Sequence, residues 1–334
     1  AYDAGMRSLA VAPDGAKVAY TSTNVSHYSS RGTPVRLLVR ALDQLQPVVI
    51  AGPGDVREPF FSPDGAWIGF FDPPERLQKV PATGGPPTVV KTLDGLSRGV
   101  TWGEDGTLIY ATSNLVTGLQ RISASGGEPE ILTRPNREKG ERDHYWPHLL
   151  PGGRAVLFTI APAGGSIDDA RIAVLDLRDG SQKVLLNGGS DARYVKGGYL
   201  VYGNAGTLRA VAFDLDRLEV RGTPVTVAQQ VTTGSSGWAN FAVAANGTLT
   251  YMTDDVTSLT LVWVDRSGRE QPLGVPHRNY SGAQLSPDGT RVALDIRDQQ
   301  NDIWIWDLAR ATLQRLTFDS AGNGGGVWTP DGKR

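Results

Sequence analysis

The chain has 334 residues, 33 Lys and Arg against 35 Asp and Glu, and no cysteine. This excludes disulfides, thiolate metal sites and a Cys nucleophile, and it leaves no global basic field to draw in nucleic acid or an anionic membrane. No apolar run approaches the ~18 residues of a membrane span. The chain starts Ala1-Tyr2-Asp3, without an initiator Met or a signal-peptide pattern, which suggests a mature form or an excised piece.

The first predicted unit opens with a short apolar strand, Ser8 to Ala12, and then Pro13-Asp14-Gly15. Pro presets φ at the second position of a turn, Asp bonds backbone two residues on, and Gly accepts φ > 0. Lys17 to Ser22 follows as a second strand, a polar excursion over 23–34 carries His27 and Tyr28, and Val35 to Ala41 and Gln46 to Ile50 complete four strands. Pro63-Asp64-Gly65, Pro287-Asp288-Gly289 and Pro330-Asp331-Gly332 repeat the turn. Glu104-Asp105-Gly106, Pro151-Gly152-Gly153, Lys196-Gly197-Gly198 and Ala245-Asn246-Gly247 are degenerate copies. Their last glycines, at 15, 65, 106, 153, 198, 247, 289 and 332, are spaced by 50, 41, 47, 45, 49, 42 and 43 residues.

After Pro287-Asp288-Gly289, Val292, Leu294 and Ile296 alternate with Arg291, Ala293 and Asp295, the period of a strand with one buried face. Units of ~40–50 residues with four strands each are the pattern of β-propeller blades, which need their neighbours to bury their faces. The prediction is an all-β protein, a single propeller domain over 1–334 with four-stranded antiparallel blades. Seven blades are expected, at about 8–51, 56–93, 97–133, 144–187, 192–231, 238–275 and 280–319, with eight as the alternative. A partial eighth repeat over 324–334 is expected to meet the N-terminus and help close the ring. Leu9, Val11, Phe61, Trp102, Leu149, Phe241, Leu285 and Trp328 are the expected inner-strand core.

The repeats resemble the TolB-like, WD-like Pro-Asp-Gly propeller family of bacteria. The matching stretches are Phe61-Ser62-Pro63-Asp64-Gly65, Leu285-Ser286-Pro287-Asp288-Gly289, Asp302-Ile303-Trp304-Ile305-Trp306-Asp307-Leu308 and Val327-Trp328-Thr329-Pro330-Asp331-Gly332. The order of degenerate blades, with Trp146-Pro147-His148-Leu149-Leu150-Pro151-Gly152-Gly153 and Gly206-Thr207-Leu208, is similar to the propeller that follows the catalytic domain of many bacterial Ser/Thr protein kinases. The resemblance implies a repeat protein outside the cytoplasm, periplasmic or at the cell surface, that binds a protein, peptide or small ligand. It implies no cofactor.

Gly95-Leu96-Ser97-Arg98-Gly99 fits G-x-S-x-G, but a nucleophile elbow needs a helix after the serine, and a strand is predicted there. His144 and His148 stand four apart, which on a strand is about 13 Å, too far for one metal. His27 and His277 are lone loop histidines, and Asp298, Asn301 and Asp302 lack the glycine-containing loop of an EF-hand. No metal site and no catalytic residue is expected.

One register points elsewhere. Six residues before the first turn position of the first three blades stand Arg7, Arg57 and Arg98, and blade four has Tyr145 there with Trp146 next. Equivalent positions converge on a propeller axis, so these five form a candidate cationic and aromatic arc for an anionic ligand. The competing reading is local pairing of each arginine, for example with Glu58 or Asp55. The expected function is a non-catalytic binding or sensory module that uses one face or the channel mouth. The alternatives are a hydrolase or lyase working in the channel, and the accessory propeller of an α/β-hydrolase peptidase.

Overall fold

The computed structural model describes residues 8–21, 35–51, 56–253, 260–276, 278–297, 301–318 and 323–334. The chain is all-β and of propeller type, built from consecutive antiparallel sheets in which each strand pairs with the next in sequence. It forms two compact units, Ala1–Thr253 and Asp254–Arg334.

In the first unit the first sheet is β1 (Leu9–Val11), β2 (Lys17–Thr21), β3 (Leu37–Ala41) and β4 (Val48–Ala51). The second is β5 (Arg57–Phe61), β6 (Trp67–Asp72), β7 (Arg76–Pro81) and β8 (Thr88–Thr92). The third is β9 (Ser97–Trp102), β10 (Thr107–Thr112), β11 (Gln120–Ser123) and β12 (Glu130–Ile131). The fourth is β13 (Glu141–Leu149), β14 (Ala155–Pro162), β15 (Arg171–Asp176) and β16 (Gln182–Asn187). The fifth is β17 (Ser190–Val195), β18 (Tyr199–Asn204), β19 (Thr207–Asp214) and β20 (Glu219–Ala228). The sixth has two strands, β21 (Phe241–Val243) and β22 (Leu249–Tyr251).

The repeated turns form as their chemistry dictates. The side chains of Asp14, Asp64, Asp105 and Asn246 accept the backbone N–H two residues on, at 2.9, 3.0, 2.9 and 2.9 Å. Gly65 and Gly106 close two of these turns at φ 69° and 78°, where a side chain would be strained.

Packing follows from strands that are apolar on both faces. Along β10, Leu108 and Tyr110 pack with Phe71, Leu77 and Val90 of the second sheet. Their neighbours Ile109 and Ala111 pack with Val156, Phe158 and Ile160 of the fourth. The same layering joins the first sheet to the second through Leu37, Ile50, Ile68 and Val80. It joins the fourth to the fifth through Leu157, Ile172, Leu200 and Tyr202, and the fifth to the sixth through Val201, Leu208 and Phe241. β21 in turn lies beside β1. There the Ala245 N–H donates to the Pro13 carbonyl at 3.1 Å, and the Asn246 amide to that of Asp14 at 2.9 Å. The first strands therefore run β1, β5, β9, β13, β17, β21 and return to β1 within this unit.

The second unit holds a two-stranded sheet, β23 (Val262–Val264) and β24 (Glu270–Pro272). Its four-stranded sheet is β25 (Tyr280–Leu285), β26 (Arg291–Arg297), β27 (Asn301–Asp307) and β28 (Thr312–Arg315). On β26 the expected alternation is present: Val292, Leu294 and Ile296 are buried with Tyr280 and Trp306, and Leu261 and Leu273 pack on them.

Two of the expected core residues differ. Leu285 ends β25 with 47 % of its surface exposed, although it pairs with the buried Val292 on the covered face of this sheet: at the strand end nothing packs over it as it does over Val292. Trp328 is in no strand; its indole N–H donates to the Gln284 carbonyl at 3.0 Å and Arg291 stacks on its ring. Phe61, Trp102 and Leu149 are half-buried on inner strands, and Val11 and Phe241 are buried. The expected meeting of the termini involves Ala1-Tyr2-Asp3, outside the described residues.

Phe71 is fully buried between two sheets, whereas Trp102 is half-exposed. Phe71→Ala is expected to cost about 3–5 kcal/mol and Trp102→Ala less, about 2–3 kcal/mol. Urea midpoints of the two variants check this, and the reverse order would contradict the layering described.

Candidate functional site

The first strands of the unit share a local distortion where they begin. Five residues before the first turn position stand Ser8, Glu58, Gly99, Trp146, Asp191 and Asn240. In four of the six strands this residue has left-handed φ: Glu58 at 49°, Gly99 at 98°, Trp146 at 53° and Asp191 at 56°. Each coincides with a register shift against the second strand of its sheet. A bulge of this kind inserts a residue and re-aims its side chain. A left-handed conformation in a non-glycine residue costs of order 1–3 kcal/mol and persists only where the surroundings impose it.

Hydrogen bonds between neighbouring sheets impose it here. The buried Ser97 hydroxyl donates to Glu58 at 2.8 Å. Asp191 accepts the Ala239 N–H at 3.1 Å, and its own N–H donates to the Thr159 hydroxyl at 3.0 Å. The Asn240 amide donates to the Ser8 hydroxyl at 3.1 Å. Trp146 is buried and donates its indole N–H to the Ser236 carbonyl at 2.8 Å, packing with Tyr145, Ala161 and Trp238. Gly99 is glycine for a reason of space: a Cβ there would lie 2.6 Å from the Trp146 ring.

The predicted arc divides on this frame. Arg7 and the suggested partner Asp55 lie outside the described residues. Arg57 is locally paired, to Glu75 at 2.7 Å. Arg98 is not: its guanidinium stacks over the Tyr145 ring at 5.7 Å and donates to the Ser97 carbonyl at 3.3 Å, and it makes no ion pair among the described residues. Trp146 is part of the buried packing beside it. The structure thus brings Arg98, Tyr145 and Trp146 together, while Arg57 is held by its own sheet.

Asp143, which the spacing argument passed over, is fully buried beside this group. Its Oδ1 accepts the His144 N–H at 2.8 Å, while Oδ2 meets no hydrogen-bond donor among the described residues. Burial pushes its carboxyl up to about 7, against the opposing field of Arg98, Arg137 and Arg142. Burial also pushes the Tyr145 phenol up, and holds His144 below the usual imidazole range in spite of Glu141. The His144 ring spans the Thr133 hydroxyl at 2.8 Å and Glu141 at 3.2 Å. Three cations thus surround a carboxyl whose charge is suppressed. The only sequence hint was its place two residues before Tyr145 in a run of otherwise aromatic and basic residues.

Ser97 begins β9 itself, so a strand and not a helix follows it. His27, His277 and Asp298 lie outside the described residues, and Asp302 is paired with Arg315 at 2.6 Å. Among the described residues no group of three His, Asp or Glu is placed to hold a metal ion. No helix among them is long and apolar enough to cross a membrane.

No family model and no curated protein sequence matches the chain. Solved structures with a similar chain path include the putative TolB from Agrobacterium tumefaciens, at 15 % identity over 86 % of this chain and 91 % of that one, TM-score 0.42. An oligogalacturonate lyase in complex with manganese is 14 % identical over 89 % of this chain and 75 % of its own, TM-score 0.48. A Mycobacterium tuberculosis puromycin-hydrolyzing peptidase is 14 % identical over 94 % of this chain and 53 % of its own, TM-score 0.49. At such identities and TM-scores, nothing about activity or ligand passes from them to this chain.

Asp143 gives this site a pH dependence of known sign. Its folded pKa lies above the unfolded value, so its contribution is most favourable below about pH 4 and is lost as pH rises to about 7. Asp143→Asn removes that loss. Relative to the parent chain it is expected to show little change at pH 4.5 and a gain above pH 7, bounded by about 4 kcal/mol at ~1.4 kcal/mol per pKa unit. Urea titrations at the two pH values check this, and an equal effect at both would contradict the buried, uncompensated carboxyl.

Proposed function

We propose that the first unit is a non-catalytic binding module that takes an anionic group of a protein, peptide or small molecule where β9 and β13 begin. The observation that carries this is Arg98: a guanidinium held by Tyr145 and the Ser97 carbonyl, with no ion pair among the described residues, next to Arg137 and Arg142. A preorganised guanidinium loses little freedom on pairing with a carboxylate or phosphate. The Asp143 carboxyl does not cancel this charge while protonated, so a mildly acidic medium strengthens the site. The Pro-Asp-Gly repeats and their likeness to the propellers of bacterial Ser/Thr kinases support a sensory role outside the cytoplasm. Ser97 is a poor nucleophile in this setting, being buried and donating its hydroxyl to Glu58.

Citrate, as a small polyanion, tests the reading by calorimetry at low salt. Arg98→Met keeps the apolar stem and removes the charge, and is expected to weaken citrate binding at least ~5-fold, about 1 kcal/mol. Ester and peptide substrates are expected to remain unhydrolysed by the parent chain and by Ser97→Ala alike. Unchanged citrate affinity in Arg98→Met, or turnover abolished by Ser97→Ala, would overturn it.

A further inference from the structure

The loop between β10 and β11 presents Leu115 and Val116 to solvent, with 45 % and 69 % of their surfaces exposed. Asp94 anchors this loop from below: it accepts the Thr112 hydroxyl and the Asn114 amide, each at 2.7 Å. Burial pushes the Asp94 carboxyl up, but hydrogen bonds from Thr112, Asn114 and Gln120 outweigh it and leave it below the usual range, so it is a charged anchor at neutral pH. Within the loop the Val116 N–H donates to the Asn114 side chain at 3.1 Å, and the Gly118 N–H to the Thr133 carbonyl at 3.0 Å.

From the side, two arginines of the segment leading into β13 hold the two apolar residues by their carbonyls. Arg137 donates to Leu115 O at 2.7 Å, and Arg134 to Val116 O at 3.0 Å. Arg137 also donates to the Arg142 carbonyl at 2.7 Å, which ties the loop to the Arg98 site. Arg137 sits in a short 3-10 turn capped by Asn136 and closed by Gly140, so its guanidinium is fixed in place. Arg134, Arg137, Lys139 and Arg142 are all exposed, and none makes an ion pair among the described residues. Of the acids nearby, Glu141 is engaged by His144 and Arg171, which leaves Glu138 as the nearest counter-charge in sequence.

We infer that this knob is the docking surface for an acidic segment of a protein partner that carries an aliphatic side chain between its carboxylates. The inference rests on the anion-binding reading above and names its partner. Two apolar side chains at the tip of a loop braced by these hydrogen bonds supply an anchor, and the exposed cations around them, none in an ion pair among the described residues, favour negative charge. Arg137 reaches both Leu115 O and Arg142 O, so one extended partner segment would meet the apolar anchor and the cations leading into β13 together.

The test uses a fluorescein-labelled nonapeptide of alternating glutamate and leucine, with its glutamate–serine and lysine–leucine counterparts, titrated against the full chain by anisotropy. The glutamate–leucine peptide is expected to bind at least ~10-fold more tightly than either counterpart. Leu115→Ser with Val116→Ser, and separately Lys139→Glu with Arg142→Glu, are each expected to weaken it at least ~10-fold, with thermal unfolding confirming that the variants are folded. Raising the salt to ~0.5 M is expected to weaken it as well. Equal affinity for all three peptides, or no loss in the folded variants, would overturn the inference. Binding of phosphatidylserine vesicles without binding of the peptide would overturn it in favour of a lipid surface. A glutamate–serine peptide that binds as well as the glutamate–leucine one, and loses affinity in Arg98→Met, would remove the apolar knob while leaving the anion site standing.

Discussion

Each sheet of the first unit has two apolar faces and no way to bury both alone. That constraint organises the rest. β10 and β14 are buried along almost their whole length on both sides, and outer strands such as β16 and β20 are mostly exposed. The apolar residues of one strand are therefore shared between two interfaces, Leu108 and Tyr110 on one side, Ile109 and Ala111 on the other. A row of such sheets ends without an open apolar face only where the last one meets the first, and β21 beside β1 provides that contact.

Around this circuit four of the six first strands, β5, β9, β13 and β17, carry a bulge where they begin. Glu58, Trp146 and Asp191 hold left-handed φ values that would be unfavourable in isolated strands. Hydrogen bonds from the next sheet, Ser97 to Glu58 and Ala239 to Asp191, repay that strain. The same polar side chains that are costly to bury become the groups that join sheet to sheet, because each finds its partner on a neighbour.

The electrostatics of the site depend on this packing. Asp143 is stripped of water by the packing of β13, which pushes its carboxyl up, while the guanidinium of Arg98 stacks beside it on the Tyr145 ring. An acid and a base that would cancel in water thus leave a net positive site. The segment over 134–142 adds further positive charge and uses two of its arginines to brace the loop carrying Leu115 and Val116. Shape and charge therefore come from the same few residues.

The sequence by itself determined the all-β repeat. Pro-Asp-Gly turns and period-two strands are local features, and each Asp side chain reaches only two residues along its own backbone. It also placed Arg98 and Tyr145 in equivalent positions of successive repeats, with Trp146 next, because spacing from the turn is preserved along a strand. Tertiary structure alone decided which arginine is spent: Arg57 meets Glu75 across its own sheet, while Arg98 meets an aromatic ring from the next one. It decided the state of Asp143, since burial depends on what packs over a residue and not on its neighbours in sequence. It also left Leu285 exposed beside the buried Val292, because an alternating pattern shows which residues share a face but not how far along the strand that face is covered.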